Sequence, residues 1–142
     1  MTRNIHGRKR VFLVGMTVFT GTSVLCGLAG SIEADFLFGN EGDDTLDGGN
    51  GWDRVSSFVP TPTAGISFDL NIQGVAQDTG QGMDILIGIE HASGTTLNDT
   101  LTGDSGANYV IGGAGRDYIS TGDGDDTLQG GAGADTLYGG AG

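Results

Sequence analysis

An aliphatic residue returns at every ninth position of this chain, in two runs. Written in nines from Gly30, the sequence reads GSIEADFLF, GNEGDDTLD and GGNGWDRVS. Written in nines from Gly94, it reads GTTLNDTLT, GDSGANYVI, GGAGRDYIS, TGDGDDTLQ and GGAGADTLY, then a truncated GGAG. Position eight is Leu37, Leu46, Val55, Leu101, Val110, Ile119, Leu128 or Leu137. Position six is aspartate in seven of the eight units, with Asn108 the exception, and position four is glycine in six. A short fixed period of this kind predicts a solenoid, in which each unit buries its apolar side chain only by stacking on its neighbours. The two failures at position four, Glu33 and Leu97, each open a run, as terminal repeats of such arrays do. The frames stand 46 residues apart, one more than five nines, so the runs read as separate arrays flanking a non-repetitive segment.

The residue types within the unit point to a cation. Glycine at positions one, two and four permits positive φ, so the backbone can curl tightly and turn carbonyl oxygens inward. Aspartate at position six adds a hard carboxylate oxygen as the turn ends. Calcium takes six to eight such oxygens in tolerant geometry, more than one turn supplies, so two stacked turns must share an ion. Charge agrees: 18 acidic residues face 6 basic ones, a net −12, and all the acids lie after position 30. There only Arg54 and Arg116 oppose them, a balance of −16. Such a surface repels nucleic acid and anionic membranes and attracts cations. The 29 glycines come with 2 prolines and no three-residue period, which excludes collagen. A disordered linker is the alternative for a Gly/Asp-rich chain. The periodic aliphatic residue argues against it, because a linker has no use for one.

These units resemble the RTX family, the haemolysin-type calcium-binding nonapeptides; residues 48–56, 112–120 and 130–138 carry its G-G-x-G-x-D pattern with the aliphatic two places on. The resemblance covers 72 residues in eight units. It implies an all-β fold, a right-handed parallel β-roll (a β-solenoid) of nonapeptide repeats in two blocks with an irregular β insert. It also implies that turns n and n+2 stack on one edge, pairing Asp35 with Asp53, Asp99 with Asp117, Asn108 with Asp126, and Asp117 with Asp135. Asp44 is left without a matching turn by the segment that follows. Calcium ions are the implied cofactor and partner, held by these position-six residues and by the turn glycines Gly39, Gly42, Gly49, Gly51, Gly113, Gly115, Gly122, Gly124, Gly131 and Gly133. Asn108 keeps an amide oxygen but loses a charge, and Asp104 and Thr121 replace turn glycines, so those turns are expected to be the weaker ones.

Four regions follow. Residues 1–29 combine a basic start with an uncharged apolar run and small residues at Gly27 and Ala29, which fits a signal peptide cleaved after Ala29 or an N-terminal anchor. Residues 30–56 form the first block, 57–93 a linking insert and 94–142 the second block. Within the insert, Pro60 and Pro62 mark a loop, 66–70 alternates as a half-buried strand, 80–82 is a turn and 85–89 reads as a buried strand. The insert is expected to add one or two irregular coils. Cys26 is the only cysteine, so no disulfide is available to the mature chain.

Catalytic motifs are not evident. The words Gly103-Asp104-Ser105-Gly106 are explained by repeat positions one to four, and His91 is the only histidine beyond the N-terminal segment. Asp123-Gly124-Asp125-Asp126 lacks the spacing of an EF-hand loop. Trp52, Tyr118 and Tyr138 read as outward-facing rather than as a binding box. The expectation is therefore a secreted, extracellular bacterial calcium-binding protein, not an enzyme, that acts as a structural or surface-interaction module. Its mature form is expected to engage no membrane; cell-surface contact and end-to-end self-association stay open. The alternative is a truncated C-terminal module of, or accessory to, a secreted RTX protease or lipase.

Overall fold

The computed structural model describes residues 24–26, 34–57 and 61–142. Its elements are short strands: β1 (Val24–Cys26), β2 (Phe36–Phe38), β3 (Thr45–Asp47), β4 (Arg54–Ser56), β5 (Ser67–Asp69), β6 (Gln77–Asp78) and β7 (Met83–Ile87). They continue with β8 (His91–Ser93), β9 (Thr100–Thr102), β10 (Tyr109–Ala114), β11 (Tyr118–Ser120), β12 (Thr127–Ala132) and β13 (Thr136–Tyr138). In the repeat units each strand begins at position seven and centres its inward side chain on position eight, because successive side chains alternate across a strand. Leu37, Leu46, Val55, Leu101, Val110 and Ile119 are accordingly buried in one core, with Leu128 partly buried against it. Leu137, on the outermost strand, is 45% exposed and lies outside that core.

Stacking follows an 18-residue step, two units per layer. Phe36 pairs with Arg54, Thr100 with Tyr118, Tyr109 with Thr127 and Tyr118 with Thr136, all in parallel register. This is an all-β parallel roll, and no helix occurs among the described residues.

The insert behaves differently from a plain spacer between two arrays. Its strand β8 pairs with β4 on one side and β10 on the other, so both blocks share one five-stranded sheet, β2-β4-β8-β10-β12. Its strand β7 pairs with β3, and β5 pairs with β9. Only β6 runs antiparallel, against β7. The half-buried strand expected over 66–70 is β5. The strand expected over 85–89 starts two residues earlier and stops at Ile87, because Gly88 turns the chain with φ 58°. The loop expected at Pro60 and Pro62 falls partly on residues 58–60, outside those described. Most of the expected signal segment also lies outside them, although Val24–Cys26 form β1, parallel to β3. No described helix is long and apolar enough to cross a membrane.

Candidate metal centre

Each turn presents its position-six residue to the layer above and below. The N–H of Asp35 donates to Asp53 Oδ1 at 2.7 Å, that of Asp99 to Asp117 Oδ1 at 2.9 Å, that of Asn108 to Asp126 Oδ1 at 2.9 Å and that of Asp117 to Asp135 Oδ1 at 3.0 Å. All four pairs expected from the resemblance are thus joined. The carbonyl of the same lower residue accepts the position-seven N–H above it: Arg54 on Asp35, Tyr118 on Asp99, Thr127 on Asn108 and Thr136 on Asp117. A carboxylate at position six is therefore held by the ladder itself, one oxygen at a time.

The second oxygen is the informative one. Asp53 Oδ2, Asp117 Oδ2 and Asp126 Oδ2 are buried and find no hydrogen-bond donor. Asp53 is 0% exposed and Asp117 1%. Burial pushes the carboxyls of Asp53, Asp84 and Asp117 above their ordinary value; the hydrogen bonds they accept, from backbone N–H groups and at Asp84 first from the Thr79 hydroxyl, oppose this, and neighbouring carboxylates reinforce it. Neither arginine supplies the missing charge. Arg54 lies between the rings of Phe36 and Tyr109, 5.1 Å from each centroid, and Arg116 is exposed. Neither forms an ion pair with a described residue. Among the described residues, no three His, Cys, Asp or Glu side chains converge on one point. A cation held here would draw the rest of its shell from backbone carbonyls, and that hard-oxygen donor set suits calcium.

Glycine serves two distinct purposes in these turns. At positions two and four most glycines are left-handed, as at Gly113 (φ 114°) and Gly115 (φ 121°) and at Gly42, Gly49, Gly51, Gly122, Gly124, Gly131 and Gly133, with Gly106 an exception. Position one is not, which corrects the expectation for that position, Gly39 included. Its glycine makes room: a Cβ at Gly112 would strike Asp117 Oδ2 of the same unit, and one at Gly39 would meet Asp44 Oδ2 at 3.2 Å. Asn40 takes position two of its unit with φ 62°.

Four residues that stack or close turns escaped the sequence reading. Asp44 does have a stacked turn: its N–H donates to Asp84 Oδ1 at 2.9 Å. Residues 79–87, TGQGMDILI, form a further unit, with Thr79, Gly80, Gly82, Asp84 and Leu86 at positions one, two, four, six and eight. The same five positions of TGDGDDTLQ carry the same residue types, and that was the available signal. Glu90 Oε2 takes the position-six role in the next coil, accepting the Asp53 N–H at 2.9 Å. Thr95 and Thr79 close their own turns. The Thr95 N–H donates to Asp99 Oδ2 at 2.5 Å, and the Thr79 hydroxyl donates to Asp84 Oδ2. Thr121, at position one of its unit, is buried with its Oγ1 unpartnered.

Comparison with known proteins agrees with this geometry. No curated protein sequence matches the chain. The model of the RTX calcium-binding nonapeptide repeat, four copies long, matches residues 29–57, 93–128 and 120–142. The matched segments cover more than half the chain and leave out 58–92, where the structure nonetheless continues the stacking. The chain belongs to the RTX calcium-binding nonapeptide repeat family.

Proposed function

We propose that this chain is a secreted β-roll that completes its folding on meeting extracellular calcium, and that it serves as a structural or surface-interaction module. The observation that carries the reading is the set of buried, donorless oxygens on Asp53, Asp117 and Asp126. An unsatisfied buried acceptor costs about 1–3 kcal/mol, and more when charged. Calcium bound there supplies the missing positive charge, and its binding free energy becomes folding free energy. The proposed ligands are the carboxylates of Asp53, Asp117, Asp126 and Asp135, together with carbonyls of the left-handed glycine turns. Extracellular-type affinity, roughly 10⁻⁴–10⁻³ M per site, would keep the acidic turns open where calcium is scarce.

A binding role rather than catalysis is favoured by what surrounds His91. Its Nδ1 accepts the Tyr109 N–H at 2.9 Å, and its ring stacks on Trp52 at 5.3 Å. Ser105 sits in an ordinary exposed turn. The outer face of the five-stranded sheet carries Phe36, Arg54, His91 and Tyr109 in one row, a face with aromatic and cationic character on an otherwise acidic protein. That row supports a surface-interaction role.

The test is a calcium titration of the chain followed by far-UV circular dichroism, with magnesium as control. A gain of β-structure with calcium alone is expected. An identical spectrum with either ion and with chelator would overturn the reading.

A further inference from the structure

We propose that the roll contains two kinds of turn: those closing on Asp84, Asp99 and Asn108 form without an ion, and those closing on Asp53, Asp117 and Asp126 require one. The inference rests on the calcium-binding reading above and deepens it by assigning which turns use the metal.

The distinction lies in the second oxygen of the position-six side chain. In the Asp53, Asp117 and Asp126 turns it is buried and has no donor. In the other three the protein itself fills that place. Asp99 Oδ2 accepts the Thr95 N–H at 2.5 Å, the Thr95 hydroxyl lies 3.0 and 3.1 Å from the two carboxylate oxygens, and Oδ1 accepts the Ile66 N–H at 2.7 Å. Asp84 accepts the Asp44 N–H on one oxygen and the Thr79 hydroxyl on the other. Asn108 Oδ1 accepts the Asp104 N–H at 2.8 Å, and its Nδ2 donates to the Glu90 carbonyl at 3.0 Å and to Asp104 Oδ1 at 3.2 Å.

Position two separates the two states where it is Gly49, Gly113 or Gly122 on one side and Thr95 or Asp104 on the other. Gly49, Gly113 and Gly122 stand there with φ of 79°, 114° and 82°, and none donates to its own turn's aspartate. Thr95 and Asp104 stand there without a left-handed φ, and their N–H groups face the position-six side chain. In the Asp84 turn, where position two is Gly80, a threonine hydroxyl from position one does the same work. A donor thus stands where the glycine turns would need a cation. Loss of glycine at position two, which at sequence level looks like decay of a site, is at Thr95 and Asp104 the replacement of an ion by a hydrogen bond. Thr121 at position one instead leaves its hydroxyl unpartnered and its turn open to an ion.

The self-closed turns lie beside most of the buried core. Ile66, Phe68, Leu70, Leu86, Ile89, Ala92 and Leu101 are all buried; towards the C-terminal end Val110 and Ile119 are still buried, Leu128 is partly buried and Leu137 exposed. The stretch 66–108 therefore holds seven of the twelve buried core residues together with the satisfied carboxylates. It forms a metal-independent centre on which the flanking turns stack when calcium arrives.

Hydrogen exchange of the full chain, read by mass spectrometry in excess chelator and again in millimolar calcium, tests this. Amides within 66–108 are expected to be protected in chelator, while those of 112–142 exchange freely until calcium is added. Thr95→Gly is expected to remove the protection of 94–103 in chelator and to regain it with calcium. Equal exchange of 66–108 and 112–142 in chelator overturns the proposal, as does a Thr95→Gly chain that keeps its protection there. Should that variant fail to fold even with calcium, the wild-type pattern decides alone. An exchange pattern that calcium leaves unchanged everywhere instead removes the calcium-binding reading itself.

Discussion

The N–H of Asp99 donates to Oδ1 of Asp117 at 2.9 Å across 18 residues of sequence. The bond ties the backbone of one layer to the side chain of the next, so the acidic residue is a structural rung before it is a ligand. Asp117 in turn donates its own N–H to Asp135, and its Oδ2 is left buried without a donor. One oxygen thus builds the stack, and the other is free for a cation.

Asp117→Ala and Asp117→Asn separate these two duties. Both remove the charge, so both are expected to move the calcium midpoint of folding to higher concentration. The alanine variant also leaves the Asp99 N–H buried without an acceptor, an additional cost of about 1–3 kcal/mol, or roughly tenfold in midpoint for each 1.4 kcal/mol. Asparagine keeps that acceptor. Titrations followed by circular dichroism should order the midpoints as wild type, then Asp117→Asn, then Asp117→Ala. Equal midpoints for the two variants would show that the rung contributes nothing.

Acid is expected to act in opposite directions with and without calcium. Burial raises the carboxyls of Asp53, Asp84 and Asp117 above the unfolded value of about 3.9. Between the unfolded and folded values the folded chain binds more protons, so stability rises as pH falls through the folded value. In chelator, acidification from neutral towards about pH 4 should therefore increase β-structure, because a proton removes the buried charge. In calcium the same change should weaken ion binding, since the proton and the cation compete for one oxygen. His91 opposes the first effect: burial and Arg54 hold its pKa down, so the imidazolium disfavours the fold below about pH 6.5. His91→Gln, which cannot titrate, should show the larger acid gain. β-content in chelator that falls with pH in both chains would contradict the assignment.

Much of this was legible in the sequence, and the remainder was hidden for identifiable reasons. Position eight and position six are phase-locked, so the core residues Leu46, Val55, Leu101, Val110 and Ile119 could be read directly, and the four aspartate and asparagine pairs followed from the two-unit stacking that the family resemblance implies. Asp84 was missed although its unit at 79–87 carries the repeat, because it stands out of phase with both blocks, and Glu90 could not be read because the count of nine breaks again after Ile87. Three residues, 88–90, span the step that six residues, 48–53, make in the first block, so His91 arrives in register with Arg54 through a shortened turn. Met83 and Ile85 further disguise the unit at 79–87 as a plain apolar strand. The roles of Thr79 and Thr95 were illegible for another reason. A hydroxyl at position one or two reads as a missing glycine until the position of the facing carboxylate is known.

Glycine at position two should be intolerant where the layers touch and tolerant at position four where they do not. Gly113 has φ 114°, and a Cβ there would strike the carbonyl oxygen of Thr95. Gly113→Ala is expected to lose at least about 1–2 kcal/mol from the left-handed conformation alone. Gly106 has no left-handed φ, and the nearest atom to its Cβ would be the side-chain Asp104 Oδ1 at 3.2 Å. Gly106→Ala should stay within about 1 kcal/mol of wild type. Urea unfolding of both in calcium gives the comparison, and comparable losses would mean that layer contact, not local crowding, is misassigned.

Leu101 tests whether the centre of the roll carries the flanks. Its backbone is in register with Phe68 on one side and Ile119 on the other, and its side chain is 0% exposed. Leu101→Ala should cost about 2–5 kcal/mol, the range for a buried leucine whose surroundings cannot collapse. Leu137 sits on the outermost strand at 45% exposure, so Leu137→Ala should cost less than about 1 kcal/mol. The two also differ in what calcium can repair. Leu137→Ala should reach the wild-type spectrum at a similar calcium concentration, because the surface on which its turn stacks is intact. Leu101→Ala removes the template on both sides, so far more calcium should be needed to order 112–142. If the Leu101 variant folds at the wild-type calcium midpoint, the flanking turns assemble without the centre, and the order of folding runs the other way.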